Sequence, residues 1–125
     1  MIDIEKTTLN AFDCSYEESE LVVFGAPFDG TTSFRPGTRF GPAYIRNDFL
    51  GLETYSPYLN KDLREFKLND SGNVYIPIGN TKKALDNIYE TTKTIVQDGK
   101  IPFMIGGEHL VTYPAFKAVY EACPD

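Results

Sequence analysis

Histidine and cysteine are scarce in this sequence: His109 stands alone, and Cys14 and Cys123 are the two thiols among 125 residues. Two cysteines near opposite ends, without a CxxC spacing, exclude a zinc knuckle and a disulfide framework and read as reduced thiols. A single imidazole cannot hold a metal unaided, since a catalytic site takes about three or more protein ligands. Basic charge is also short. Eighteen acidic against twelve basic residues leave a net charge of −6 at pH 7. That sign excludes a nucleic-acid surface or an anionic membrane as the expected partner, because both would repel it. No apolar stretch approaches the ~20 residues of a membrane span. The start, Met1-Ile2-Asp3-Ile4-Glu5-Lys6, has no basic region followed by an apolar one. A soluble, cytoplasmic protein is expected. Repeats, low-complexity tracts and linkers are absent as well, so the chain reads as one domain or part of one.

What is present is an ordinary globular balance, 42% hydrophobic and 24% charged, with strand and helix patterns in alternation. Leu21-Val22-Val23-Phe24 reads as a buried strand of a parallel sheet. The stretch from Pro27 to Gly41, with Gly30, Pro36 and Gly37, reads as a loop long enough to be functional. Gly41-Pro42 opens a helix with an apolar side of Ala43, Ile45, Phe49 and Leu50. Residues Tyr55 to Asp62 read as irregular, and Phe66-Lys67-Leu68 and Val74-Tyr75-Ile76-Pro77 as short, weak strands. Asn80 caps the best-patterned helix, whose face carries Leu85, Ile88, Tyr89, Thr92, Ile95 and Val96, and Gly99 ends it. Ile101-Pro102-Phe103-Met104-Ile105 is a second buried strand, and Thr112 caps a helix through Phe116, Val119 and Tyr120. The alternation predicts an α/β layer with parallel strands.

The sharpest chemical feature is Gly106-Gly107-Glu108-His109, directly after the second strand. In open α/β sheets, ligands bind beyond the carboxyl ends of strands. Two glycines there let the backbone turn tightly and deliver His109 to that rim, where a neutral imidazole suits a divalent transition metal. Glu108 would orient the ring or steady the loop. Against this stands the plainer role of a hydrogen-bonded loop histidine. A phosphate cradle is a further alternative, with little support: neither G-x-G-x-x-G nor G-x-x-x-x-G-K-[ST] is present. The loop from Gly25 to Pro42 follows the first strand and lies on the same predicted rim. Asp29, Phe34, Arg35 and Arg39 would wall a pocket or meet a neighbouring subunit, or else form a solvated loop whose arginines pair with carboxylates.

Taken together, Gly25-Ala26-Pro27-Phe28-Asp29, Arg35-Pro36-Gly37-Thr38-Arg39-Phe40-Gly41-Pro42, Ile45-Arg46 and Gly106-Gly107-Glu108-His109 resemble the ureohydrolase family of arginases and agmatinases. The likeness runs from about Glu20 to the end. Glu108 and Leu110 stand where arginases usually show aspartate and serine. With Glu53-Thr54-Tyr55-Ser56-Pro57, they look like the agmatinase branch. The resemblance implies a three-layer α/β/α fold with a mostly parallel sheet, two Mn2+ ions, and hydrolysis of agmatine to putrescine and urea in polyamine biosynthesis. It implies a small cationic guanidino substrate, a trimer or hexamer, and His109 as a ligand to one manganese, with Gly106, Gly107 and Glu108 as loop support.

The departure from the family is large. Neither Asp-x-His-x-Asp nor a later Asp-x-Asp metal motif is in the sequence. Residues 1–125 therefore read as the N-terminal part of a single arginase-like domain, less than half of a family chain and inactive alone. The alternatives are a related ureohydrolase acting on another guanidino or formimino substrate, and a non-catalytic binding or assembly remnant.

Overall fold

A computed structural model describes residues 7–123. The start Met1-Ile2-Asp3-Ile4-Glu5-Lys6 and the end Pro124-Asp125, on both of which the sequence carries an expectation, lie outside the described residues. Eight main elements follow in chain order: β1 (Leu21–Ala26), α1 (Gly41–Phe49), β2 (Tyr55–Ser56), β3 (Lys61–Asp62), β4 (Leu68–Asn73), α2 (Thr81–Gln97), β5 (Ile101–Gly106) and α3 (Thr112–Ala122). The main sheet has the order β4-β1-β5 and both of its pairings are parallel, so the predicted α/β class holds.

β1 is the buried centre, as its apolar run requires. Val22, Phe24 and Ala26 face α2 and α3, where two apolar clusters form with Ile88, Ala84, Ile95 and Val111. The other face meets α1 at a close approach. A Cβ on Gly25 would lie 2.0 Å from Asn73 Oδ1 and 2.9 Å from Pro42 Cβ. Helices thus cover both faces of a parallel sheet.

α2 follows its period. Asn80 Oδ1 accepts from the Lys83 N–H at 3.0 Å, and Ile88, Thr92 and Ile95 are buried together with Ala84, which the sequence reading left out. Gly99 takes a left-handed backbone, φ 73°.

Other elements correct the sequence reading. The third strand of the sheet starts at Leu68, the last residue of the expected Phe66-Lys67-Leu68, runs through the polar stretch to Asn73, and stops before the expected Val74-Tyr75-Ile76-Pro77. It shows no apolar alternation because polar contacts hold it. Its outer side is taken by the segment before β1: the N–H of Asp70 donates to Phe12 O, that of Cys14 donates to Leu68 O, and Asp13 bridges Asn69 antiparallel. Residues Tyr55 to Asp62 contain a small antiparallel hairpin, β2 with β3. In α1, Ala43, Ile45 and Leu50 are exposed, while Pro42 and Arg46 are buried. The inward side of that helix is organised by a charge rather than by aliphatic residues. β5 is not buried: Ile101 and Phe103 are 61% and 54% exposed, because β5 pairs with β1 alone among the described strands. In α3 the cap position belongs to Val111, with Thr112 the first helical residue. Phe116 and Tyr120 of that helix lie outward, stacked with ring centroids 6.3 Å apart.

Buried beneath α1 is an ion pair that the sequence reading did not anticipate. Arg46 Nε donates to Asp70 Oδ2 and Nη2 to Oδ1, each at 2.8 Å, a two-pronged fork. The Leu9 and Gly72 N–H groups donate to the same carboxylate at 2.9 and 3.0 Å. Arg46 Nη1 donates to Asn73 Oδ1 at 2.6 Å, and Nη2 also to Gly72 O at 3.0 Å. Burial alone would push the Asp70 carboxyl up, but the Arg46 fork and the two backbone donors hold it below its ordinary value.

Candidate functional site

β1 and β5 are in register to their ends, where Ala26 lies opposite Gly106. Beyond that point each strand gives way to a loop, and the two loops interlock. Ala26 O accepts from the N–H groups of Phe28 at 2.8 Å and Gly107 at 3.1 Å, and Phe28 O accepts from the Glu108 N–H at 2.9 Å. This lacing requires glycine at 107. A Cβ there would fall 2.0 Å from Phe28 O and 2.8 Å from Phe28 C and N, which is backbone that cannot swing aside. At Gly106 a Cβ would lie 3.0 Å from the Val111 Cγ2 methyl and at ordinary contact distance, 3.9 Å, from Glu108 O.

The turn leads into a short 3-10 segment, His109–Val111, that runs on into α3. Val111 is buried in the core and anchors the turn from below. His109 is exposed and stands at the carboxyl end of β5. Both hydrogen bonds of the Glu108 carboxylate go to Thr31, one from its N–H at 2.9 Å and one from its hydroxyl. Nothing in the sequence pointed to Thr31, 77 residues away.

Asp29 organises the loop after β1. Its carboxylate accepts from the Gly37 N–H at 2.7 Å, the Arg39 N–H at 3.3 Å and Arg39 Nη1 at 3.1 Å. Desolvation raises its pKa, and these donors outweigh that and hold it below the ordinary carboxylate value. Arg39 also lies over the Phe40 ring, 4.6 Å from its centroid. Phe34 stands out at the loop tip, 82% exposed, with the Arg35 guanidinium 5.4 Å from its ring centroid. Beside the loop lies a cavity of about 730 Å3, lined by Phe28, Asp29, Arg39, Val74, Tyr75 and Ile78 among others. The structure therefore brings Gly106, Gly107, Glu108, Thr31 and Asp29 into one laced rim bearing His109, and leaves Phe34 and Arg35 exposed with no hydrogen bond to that rim.

An exposed imidazole is a chemically apt donor for a borderline divalent ion. Among the described residues, however, no three His, Cys, Asp or Glu side chains gather into a group that could hold a metal. These residues fit one coordination position, not a complete site. No described helix is long and apolar enough to cross a membrane.

Comparison with known proteins gives a consistent picture. The model of the Arginase family matches residues 19–125. The agmatinase of Bacillus anthracis is 50% identical over 111 residues, 89% of this chain and 38% of that protein. A candidate agmatinase of Clostridium difficile superposes with a TM-score of 0.86 at 57% identity, over 89% of this chain and 40% of the other. A formiminoglutamase of Trypanosoma cruzi, solved with Mn2+, gives a TM-score of 0.80 at 27% identity, over 91% of this chain and 41% of the other. The chain thus spans about 40% of the length of these relatives.

Proposed function

This chain belongs to the arginase family, and from that membership we propose that residues 1–125 are the N-terminal part of the single catalytic domain of an agmatinase-type ureohydrolase. The whole enzyme hydrolyses the guanidinium group of agmatine to give putrescine and urea. The observation that carries this reading is the exposed imidazole of His109, set by the Gly106-Gly107 turn at the carboxyl end of β5, in a chain half identical to an agmatinase.

His109 would supply one ligand to a manganese ion, and the remaining ligands come from outside the described residues. Manganese held there would supply Lewis acidity, lowering the pKa of a bound water so that hydroxide is available near neutral pH. The described residues contribute position rather than reaction steps. The close packing of Gly107 on Phe28 fixes where the imidazole leaves the sheet. The loop holding Asp29, Phe34, Arg35 and Arg39 forms a wall of the substrate site or a contact with a neighbouring subunit. The substrate is a small cation, which an acidic protein does not repel. The whole protein is a cytoplasmic homo-oligomer, a trimer or hexamer, and takes no nucleic acid or membrane as partner. A second reading within the family, hydrolysis of a formimino compound, is favoured by the formiminoglutamase likeness.

The test uses the whole protein loaded with manganese. Urea release from agmatine is the expected result, and release of formamide from formiminoglutamate alone would favour the second reading. His109→Ala should lower manganese affinity at least about tenfold, as loss of even a supporting group at such sites does. Unchanged manganese binding and turnover in that variant would overturn the role of His109. Residues 1–125 expressed alone should release no urea, and measurable turnover from them would contradict the proposed division of the site.

A further inference from the structure

We infer that Glu108 is a positioning residue that latches the loop after β1 to the histidine turn through Thr31, and that this latch governs substrate affinity in the ureohydrolase proposed above, on which reading the inference rests. The backbone lacing at the rim reaches only as far as Phe28. Beyond it, the stretch from Asp29 to Arg39 is closed on itself by the Asp29 carboxylate, which takes Gly37 and Arg39. Such a lobe is internally tied but has no strand or helix to fix its attitude to the sheet until the short turn at Thr38–Phe40. The Glu108 carboxylate supplies that fix. It receives the Thr31 N–H at 2.9 Å and the Thr31 hydroxyl, a charged acceptor for two donors, which makes stronger hydrogen bonds than a neutral one.

The same residue is tied at its backbone, since its own N–H donates to Phe28 O. Glu108 is therefore held at its backbone and at its carboxylate by the loop after β1, at Phe28 and at Thr31, and its carboxylate is spent on that loop rather than on the neighbouring imidazole. The reach of the side chain then sets how far the lobe with Asp29 and Phe34 stands from His109. Aspartate at this position, one methylene shorter, would draw the lobe in or lose one of the two donors.

The experiment uses the whole manganese-loaded protein with Glu108→Ala, Glu108→Gln, Thr31→Val and the Glu108→Ala/Thr31→Val pair. Glu108→Ala should speed hydrogen exchange at the Thr31 amide and open the Arg39–Phe40 bond to trypsin, while Arg35 stays shielded by Pro36. KM for agmatine should rise about tenfold, the equivalent of one net hydrogen bond, with manganese content unchanged. Glu108→Gln keeps an acceptor for the Thr31 N–H and should stay within about threefold of the parent. The double variant should be no worse than Glu108→Ala, because Thr31→Val removes only the hydroxyl bond, which Glu108→Ala has already lost. Unchanged exchange and cleavage in Glu108→Ala would overturn the latch, as would fully additive losses or a loss of manganese with KM preserved. If the parent protein releases nothing from guanidino or formimino compounds, the reaction assignment has failed, and exchange and cleavage still decide the latch.

Discussion

Gly107→Ala is expected to destabilise the whole protein by about 3 kcal/mol, the upper end of what one inserted carbon costs in close packing. The reason is the identity of the atoms it meets. An added methyl would sit 2.0 Å from the Phe28 carbonyl oxygen and 2.8 Å from two more Phe28 backbone atoms, so β1 and β5 must part at their ends. Parting breaks the Gly107-to-Ala26 and Glu108-to-Phe28 hydrogen bonds together. Gly106→Ala is the comparison, because its methyl would press on a side-chain methyl of Val111 at 3.0 Å, a contact relieved by a shift of a few tenths of an ångström rather than by parting two backbones. Its cost should be about 1 kcal/mol. Denaturant midpoints for the two variants decide the matter, and equal losses would show that the close backbone approach is not the cause.

Arg46→Met should cost about 3–5 kcal/mol, the usual penalty for removing one partner of a buried ion pair. The Asp70 side chain has 0% exposure and Arg46 has 6%, so methionine would fill the space while leaving a carboxylate buried with only the Leu9 and Gly72 N–H donors. Arg46→Lys should fall in between, since an ammonium cannot reproduce the fork or reach Asn73 as well. Adding Asp70→Asn to Arg46→Met should recover stability, because the orphaned charge is gone. A double variant weaker than the single would refute this account. The pH dependence follows from the lowered pKa of Asp70. A carboxyl whose folded pKa lies below its unfolded value of about 3.9 contributes stability above that value and loses it as pH falls through the folded one. The gap between parent and Arg46→Met should therefore narrow as pH falls below about 4 and vanish only below the folded pKa of Asp70. A gap that persists there would assign the loss to packing rather than charge.

Much of this was legible in the residues themselves, where local pattern and tertiary demand agree. β1 is an uninterrupted apolar run because both of its faces are covered, and α2 keeps its period because one side meets the sheet. β4 is the counterexample. Leu68-Asn69-Asp70-Ser71-Gly72-Asn73 carries no strand pattern, since its inward group is an aspartate that needs an arginine 24 residues earlier. For the same reason the aliphatic residues of α1 misdirect: Ala43, Ile45 and Leu50 mark the outer surface, and the inward position is the charged Arg46. In the rim, the glycine pair and His109 stand out in one stretch of sequence. Thr31 does not, because a common hydroxyl residue in a loop becomes informative only when a carboxylate from far along the chain arrives at it.

The two borders of the sheet are unequal. Along β4 the backbone is met by Phe12, Asp13 and Cys14, while among the described strands β5 pairs with β1 alone and leaves its other backbone edge beside the exposed apolar side chains of Ile101 and Phe103. The β5 border is therefore the one with more unpaired backbone, the β4 border being partly covered from Leu68 to Asp70. Since His109 stands at the end of β5, whatever joins that border also arrives beside the imidazole.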